Sequence, residues 1–195
     1  MKIKSTLLAV AFIATSLNAL HAGEIYNLDA SHSTIGFKVR HLFSDATGRF
    51  NDFSGTVNVD SKKPENSVVD VTIQAKSIDT ANEKRDGHLR SADFFDVKKN
   101  PTITFKSKKV VLTGEKTATV TGDFTLNGVT KEVPLNVTFL GKGKGMGGIG
   151  VTGWSATGEI DRTDYGLEWD KVVEGTKVVG DDVKIEIQVE AHTAK

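Results

Sequence analysis

The chain has 195 residues, with 25 basic and 25 acidic side chains, 38% apolar residues and no cysteine. This length suits one ordinary domain, and a formal net charge of zero provides no long-range attraction to a polyanion such as nucleic acid. The lack of cysteine excludes disulfides, thiolate metal sites and cysteine nucleophiles. We therefore expect neither a nucleic-acid partner nor a cofactor.

The N-terminus reads as a secretory signal peptide of residues 1–22. Two lysines come first, the apolar run Leu7–Leu17 follows, and the small residue Ala22 marks the expected cleavage site. The apolar run is too short to span a bilayer, which needs about 20 apolar residues. We predict export of a mature domain, residues 23–195, without stable insertion in a membrane.

Alternation of apolar and polar residues dominates the mature chain. Side chains of a strand point alternately to its two faces, so each alternating run predicts a strand with one buried and one solvated face. Such strands are typical of antiparallel sheets. With the segments Ile25–Asp29 and Val151–Arg162, the pattern predicts about eight or nine strands. The other runs cover residues 35–40, 53–59, 69–75, 103–107, 118–126, 133–139 and 183–189.

Three segments interrupt the alternation. The stretch Thr80–Asn100 is rich in charges, and Thr80 followed by Glu83 has the pattern of a capping box, which predicts a short helix. Asn127-Gly128 lies between two strands and predicts a tight type I′ hairpin, because both residues tolerate positive φ. The glycine-rich stretch Gly141–Gly150 predicts a flexible loop.

The alternating strands need a partner for their apolar faces. They can pack as a sandwich or close into a barrel, and periodicity alone does not distinguish the two. A barrel of about eight strands has an interior that side chains fill or that holds one small ligand. The pattern therefore predicts an all-β domain with a short helical insertion and leaves its architecture open.

The segment Asp29-Ala-Ser31-His32-Ser33 contains the residue types of a serine-hydrolase triad. Real triads bring their members from distant chain positions, and the sequence has no G-x-S-x-G elbow. We therefore expect these side chains to make capping and turn hydrogen bonds.

The histidines of the mature chain show no metal-binding spacing. His32, His41, His88 and His192 form no H-x-x-x-H or H-x-H pattern. No metal site is predicted, although a zinc or copper site could still assemble in space from histidines that are distant in the sequence.

A series of motifs follows in order along the mature chain. These are Asp29-x-Ser31-His32-Ser33-x-Ile35-x-Phe37, Val39-Arg40-His41-Leu42, Gly48-Arg49-Phe50-x-x-Phe53-x-Gly55, Ser77-Ile78-Asp79-Thr80, Arg85-Asp86-x-His88-Leu89-x-Ser91-x-Asp93-Phe94-Phe95, Pro101-x-Ile103-x-Phe105 and Gly122-x-Phe124-Thr125-Leu126-x-Gly128-Val129. Together they resemble the YceI-like family of exported bacterial proteins, from about Tyr26 to the C-terminus.

This resemblance implies an extended, lipocalin-like antiparallel β-barrel of eight strands, with a short helical insertion near its opening. It also implies a periplasmic location and an apolar tunnel. The tunnel would hold a polyisoprenoid or a similar long-chain amphiphile, such as an isoprenoid quinone or a prenyl pyrophosphate, for carriage or storage.

Within this framework, large residues, mostly on the apolar faces of the strands, are the candidates for the tunnel wall. They are Phe37, Val39, Phe53, Val57, Ile73, Phe94, Phe95, Phe105, Phe124, Leu126 and Trp154. For the ligand's head group we select Arg49, Arg85, Asp86, His88 and Trp169, since guanidinium groups bind phosphate in a bidentate manner and a quinone needs only a hydrogen-bond donor.

Two other functions remain open at this stage. The Arg85–His88 segment could serve an enzyme that acts on an isoprenoid lipid. Alternatively, a filled barrel could bind another protein through an exposed strand edge or through Gly141–Gly150. A homodimer is compatible with the sequence, but no interface motif identifies one.

Overall fold

The computed structural model describes residues 23–169, 172–173 and 176–194. The predicted signal peptide, residues 1–22, lies outside the described residues. The described part contains one α-helix, α1 (Glu83–Arg90), and the following strands: β1 (Glu24–Leu28), β2 (Thr34–His41), β3 (Ser44–Phe50), β4 (Phe53–Val59), β5 (Val68–Gln74), β6 (Ile78–Asp79), β7 (Thr102–Leu112), β8 (Thr117–Leu126), β9 (Val129–Lys144), β10 (Gly150–Asp161), β11 (Val172–Val173), β12 (Thr176–Lys177) and β13 (Val179–Thr193).

Eight antiparallel strands close into a barrel. Their order around the ring is β1-β4-β5-β7-β8-β9-β10-β13, and β13 pairs again with β1. The closing pairs are Tyr26 with Thr193, Asn27 with His192 and Leu28 with Ala191. This ring confirms the predicted eight-stranded barrel and decides against the sandwich.

The sheet continues beyond the eight-stranded ring through β2, β3 and β6. Strand β13 is 15 residues long: its C-terminal part pairs with β1, and its earlier part pairs with β2 from Val179 to Gln188. Strand β3 pairs with β2 on one side and with the short β6 on the other. The chain from β6 through α1 to β7 then lies at one end of the barrel.

The two ends of the barrel are built from different connections. We call one the helix end, formed by residues 75–101, which include α1, the turn at Asn127-Gly128 and residues 162–169 after β10. The other is the turn end, formed by the loop between β4 and β5 (60–67), the turns 113–116 and 145–149, and the start of β1.

The N-cap of helix α1 lies two residues later than the predicted cap, Thr80. Asn82, in extended conformation, is the N-cap, and its side-chain oxygen accepts a hydrogen bond from the backbone N–H of Arg85 at 3.0 Å. The capping box predicted for Thr80 is therefore wrong. Thr80 is buried, and its hydroxyl and backbone N–H both donate to the carboxylate of Asp86.

Of the two predicted connections between the long strands, the structure confirms the turn and shortens the loop. Asn127 and Gly128 have φ of 50° and 77°, and Leu126 pairs with Val129, which confirms the tight hairpin. The predicted loop Gly141–Gly150 is shorter than expected, because β9 continues to Lys144 and β10 begins at Gly150.

Candidate functional site: the barrel cavity

The barrel encloses a cavity of about 570 Å³, within the range typical of small-molecule sites, roughly 300–1,000 Å³. Its wall consists mostly of aliphatic and aromatic side chains from the inward faces of the strands. Because these residues alternate with outward-facing polar ones, the same periodicity that predicts the strands also produces the apolar lining. The interior is not a solid plug of side chains.

Two inward-facing glycines help to keep the interior open. A Cβ atom on Gly48 would lie 2.4 Å from the Phe37 ring, and one on Gly122 would lie 2.6 Å from the Phe105 ring. Gly48 is the cross-strand partner of Phe37, and Gly122 lies on β8, which pairs with the strand that carries Phe105. Each ring therefore lies along the wall over a neighbouring glycine and leaves part of the lumen unfilled.

The structure places the predicted tunnel residues, with one exception, in this wall. Phe53 is the exception: it is buried and packs in the hydrophobic core but does not line the cavity. Trp154 lies on the inward side of β10, with its ring 5.9 Å from that of Tyr26. The predicted residues in the wall are Phe37, Val39, Val57, Ile73, Phe94, Phe95, Phe105, Phe124, Leu126 and Trp154.

Many aliphatic wall residues are absent from the predicted set. The prediction favoured aromatic side chains, whereas the wall also uses smaller residues from the same alternating faces, so the alternation itself was the signal that could have found them. Examples are Ile35, Val69, Val71, Val110, Val120, Leu135, Val137, Ile185 and Ile187.

Among the described residues, partly buried apolar side chains line the cavity at the helix end. Phe94, Phe95 and Leu89 form part of the wall there, and none of them is exposed. The ring of Phe95 packs edge-to-face on Phe50 at 6.2 Å, and Phe50 in turn contacts Phe37 at 5.8 Å. The α1 segment therefore covers this end with apolar side chains.

The side chain of Arg162 connects two backbone segments at the same end. It is only 4% exposed, and its guanidinium donates to the backbone oxygens of Gly180 (2.8 Å), Leu167 and Trp169 (3.0 Å), and to the Asp181 carboxylate (3.1 Å). All three guanidinium nitrogens are therefore engaged within the protein. Arg162 borders the cavity, and we call it the tie because its hydrogen bonds hold residues 167–169 against residues 180–181.

At the turn end the wall includes side chains that solvent reaches. Leu112 is 51% exposed, and the charged residues Glu24, Glu115, Lys116 and Lys142 are exposed and also border the cavity. The cavity thus reaches solvent at this end, through a rim that carries both signs of charge.

The residues predicted for a head group lie away from the cavity wall. Arg49 is an exposed residue that pairs with Asp79 at 3.6 Å. Arg85 donates to the hydroxyl and the carbonyl oxygen of Thr80, each at 2.8 Å, and the buried Asp86 accepts from the same threonine. Arg85 and Asp86 thus provide hydrogen-bond partners for the backbone groups and the hydroxyl of Thr80, in the turn that precedes α1.

The other two predicted head-group residues lie behind Phe94. The His88 ring packs on Phe94 (5.1 Å) and on Trp169 (5.5 Å), and its Nε2 lies 2.9 Å from the Asp93 carboxylate. Phe94 separates this pair from the cavity. The structure thus divides the predicted head-group set into separate groups at the helix end, and its role in ligand binding stays a prediction.

Burial perturbs one ionisable group in the cavity wall. Tyr26 is 4% exposed, and its hydroxyl donates to Glu24 at 2.7 Å. Burial, followed by the hydrogen bond and the negative charge of Glu24, raises the pKa of Tyr26 from 10.0 to about 12. The hydroxyl is therefore neutral at physiological pH and can act as a hydrogen-bond donor.

The Asp29–Ser31–His32 segment does not form a catalytic relay. In a triad, the two ring nitrogens of the histidine contact different partners. Here the Ser31 hydroxyl (3.3 Å) and the Asp29 carboxylate (2.7 Å) both approach Nδ1 of His32. The Ser31 hydroxyl also lies 2.5 Å from Asp29, as expected for a turn.

A closed antiparallel barrel with one apolar cavity defines an extended, lipocalin-like class of protein. The model of the YceI-like domain matches residues 26–191, and the chain belongs to this family. A UPF0312 protein of Pseudomonas paraeruginosa is 40% identical over 172 residues, covering 86% of this chain and 90% of the relative.

Solved structures show the same fold. The YCEI protein of Campylobacter jejuni is 35% identical with a TM-score of 0.70, over 86% of this chain and 97% of that one. A polyisoprenoid binding domain from Saccharophagus degradans has a TM-score of 0.60 at 19% identity, over 87% of this chain and 98% of that one. In the part of this chain that the structure describes, no helix has the length and apolar character needed to cross a membrane.

Proposed function

We propose that this protein is a periplasmic binding protein that holds an isoprenoid lipid in its barrel cavity, for carriage or storage, and that it is not an enzyme. The observation that carries the proposal is an apolar cavity that the α1 segment covers with apolar side chains at the helix end and that reaches solvent at the turn end. The relationship to a polyisoprenoid binding domain of the same fold supports this choice of ligand class.

The energetics suit a long apolar tail. Each buried carbon contributes roughly 0.8 kcal/mol, so a few isoprene units give useful affinity. Ordering of the chain and imperfect desolvation offset much of that gain, because measured affinities saturate near about −20 kcal/mol. The tail would set the strength of binding and tolerate different lengths.

A tail that enters through the turn end leaves its head group at the rim. Lys116 and Lys142 border the cavity there and offer ammonium groups to a phosphate or to a quinone oxygen. The proposal therefore moves the head group away from the Arg85–His88 segment. It also gives that segment no catalytic part, since its side chains are engaged with Thr80, Asp93 and Phe94.

Native mass spectrometry and organic extraction of the purified protein test the proposal, followed by titration with an isoprenoid quinone and a prenyl phosphate. A matched pair of variants on β7 identifies the binding surface. Val110 lines the cavity, whereas its neighbour Val111 is 44% exposed on the outer face.

A carboxylate placed in an apolar cavity is costly, so Val110→Asp should lower lipid affinity by at least tenfold and Val111→Asp should not. Unfolding midpoints for both variants separate loss of binding from loss of folding. A protein that is empty when purified and binds neither lipid class overturns the proposal, as do equal affinities in the two variants.

A further inference from the structure

Two histidines and two carboxylates meet on the outside of the barrel. Asp29 and His32 belong to the short 3-10 turn between β1 and β2, and Glu190 and His192 lie near the C-terminal end of β13. The two histidines are far apart in the sequence, so no spacing motif connects them. They come together because β1 and β13 close the barrel.

Asp29 has its two carboxylate oxygens in different roles. Oδ1 accepts hydrogen bonds from the backbone N–H of Ser31 at 2.9 Å and from its hydroxyl at 2.5 Å. Oδ2 instead faces the histidines, 2.7 Å from Nδ1 of His32 and 3.6 Å from Nε2 of His192. The turn thus fixes the carboxylate and directs one oxygen to the imidazoles, as outer hydrogen bonds do for metal ligands.

Glu190 completes the group. One ligand atom from each of Asp29, His32 and Glu190 lies within 4.8 Å of the other two, and Nε2 of His192 lies 3.1 Å from Oε1 of Glu190. Zinc binds nitrogen and oxygen at about 2.1 Å, which puts neighbouring ligand atoms of a tetrahedron roughly 3.4 Å apart. Small side-chain rotations therefore bring these atoms to coordination distance.

The backbone around the group is held in place, and the group is accessible. The backbone N–H of Asp29 donates to the Glu190 carbonyl oxygen at 2.9 Å, and the Ser33 hydroxyl donates to the same oxygen at 3.1 Å. The His32 side chain is 66% exposed, so an ion reaches the cluster directly from solvent. The neighbouring shallow groove of about 580 Å³ is lined by His32 and Glu190 and also by Lys142 and Lys144.

We propose that Asp29, His32 and Glu190, with His192 as an adjacent ligand, bind a divalent transition-metal ion. Imidazole and carboxylate donors in this number favour Zn²⁺ over the oxygen-preferring ions Mg²⁺ and Ca²⁺. The ion would join the β1–β2 connection to β13 where the barrel closes through only the three residue pairs of β1 and β13. Metal binding would therefore stabilise the closure.

A second histidine–carboxylate pair provides an internal control. At the helix end, Nε2 of His88 lies 2.9 Å from Asp93, but among the described residues only the Asp29 group assembles three such ligands. His88→Ala thus removes a histidine paired with a carboxylate without touching the proposed site.

The experiment is a titration of tag-free, chelator-stripped protein with ZnCl₂ by calorimetry, with MgCl₂ in parallel. We expect one Zn²⁺ per chain, at least tenfold weaker affinity in His32→Ala and in Asp29→Asn, and unchanged affinity in His88→Ala. Asp29→Asn keeps an oxygen for the Ser31 hydrogen bonds, and His32 is largely exposed, so both variants should fold. Zn²⁺ should raise the thermal midpoint of the wild type and of His88→Ala only.

Three results overturn the proposal. These are no Zn²⁺ binding by the wild type, binding that is unchanged in both His32→Ala and Asp29→Asn, and equal affinity for Mg²⁺. If Asp29→Asn does not fold, His32→Ala alone decides between the outcomes.

Discussion

The two ends of the barrel belong to the same strands, yet the described residues cover one end with apolar side chains and leave the other open to solvent. At the helix end, charged residues such as Arg85, Asp86 and Arg162 donate or accept hydrogen bonds within the protein. At the turn end, Lys116 and Lys142 border the cavity with their side chains exposed. The comparison shows that a high density of charge in the sequence does not mark the end at which the cavity reaches solvent.

The difference has a physical origin in the connections. The helix end contains a helix terminus, several irregular turns and a long crossing segment, and each leaves backbone groups that need partners. Polar side chains satisfy these groups, and Phe94 and Phe95 cover the lumen. The turn end consists mostly of hairpin connections whose ladders are already paired, so their polar residues remain exposed to solvent.

The largest expected effect concerns the tie at the helix end. Arg162→Met would remove the donor to the backbone oxygens of Gly180, Leu167 and Trp169, although Asp181 would keep its contact with Lys177. Buried acceptors left unsatisfied cost about 1–3 kcal/mol each, roughly 3–5 kcal/mol together. We expect the free energy of unfolding in urea to fall by this amount. Arg49→Met, which removes an exposed pair with Asp79, should cost under about 1 kcal/mol; equal losses would contradict the assignment of Arg162 as a tie.

The next effect uses the two tyrosines of the chain, one at each end. Burial raises the pKa of Tyr165 at the helix end and raises that of Tyr26 at the turn end from 10.0 to about 12. Because the pKa of Tyr26 is higher in the folded state than in the unfolded state, ionisation of this tyrosine favours unfolding. Its contribution to the free energy of unfolding is complete below pH 10 and is lost as the pH rises from 10 to 12. For Tyr26 the loss is on the order of 3 kcal/mol.

Tyr26→Phe should therefore lose less stability between pH 10 and pH 12 than the wild type does. Because the chain has only two tyrosines, tyrosinate absorbance in Tyr165→Phe reports Tyr26 alone. A midpoint near 10 for Tyr26 in that variant would show that the wall at the turn end is more hydrated than the structure indicates.

The smallest expected effect is at the rim. Exchanging Lys116 and Lys142 for glutamate should weaken binding of a prenyl phosphate on the order of tenfold, because charge-assisted hydrogen bonds to the phosphate are lost. Raising the salt concentration should reduce this difference, and a neutral quinone should bind nearly as before. The matched control exchanges the exposed Lys98 and Lys99 at the helix end; if this control weakens binding as much, the head group is not at the turn end.

The sequence predicted more of the strands than of the site. Alternation located most of the strands that close the ring, and Asn127-Gly128 identified a hairpin, because both signals are local. The start of α1 was missed, because the side chain of Thr80 bonds to Asp86, six residues further on, rather than capping the helix. The predicted wall consisted mostly of aromatic residues, with Val39, Val57, Ile73 and Leu126, and it omitted many other valines and isoleucines that follow the same alternation.

The sequence by itself determined the inward face over most of each strand, since successive side chains point to opposite faces. In β7 the register shift between Ser107 and Lys109 changes this parity, so that Phe105 before it and Val110 after it both line the cavity. Tertiary structure decided the rest. Pairing of β1 with β13 turned the sheet into a barrel and brought His32 to His192, and Gly48 and Gly122 left room for aromatic rings to lie along the wall. Hydrogen bonds and packing between residues distant in the chain decide which end of the barrel is covered by apolar side chains. A local sequence pattern therefore cannot predict it.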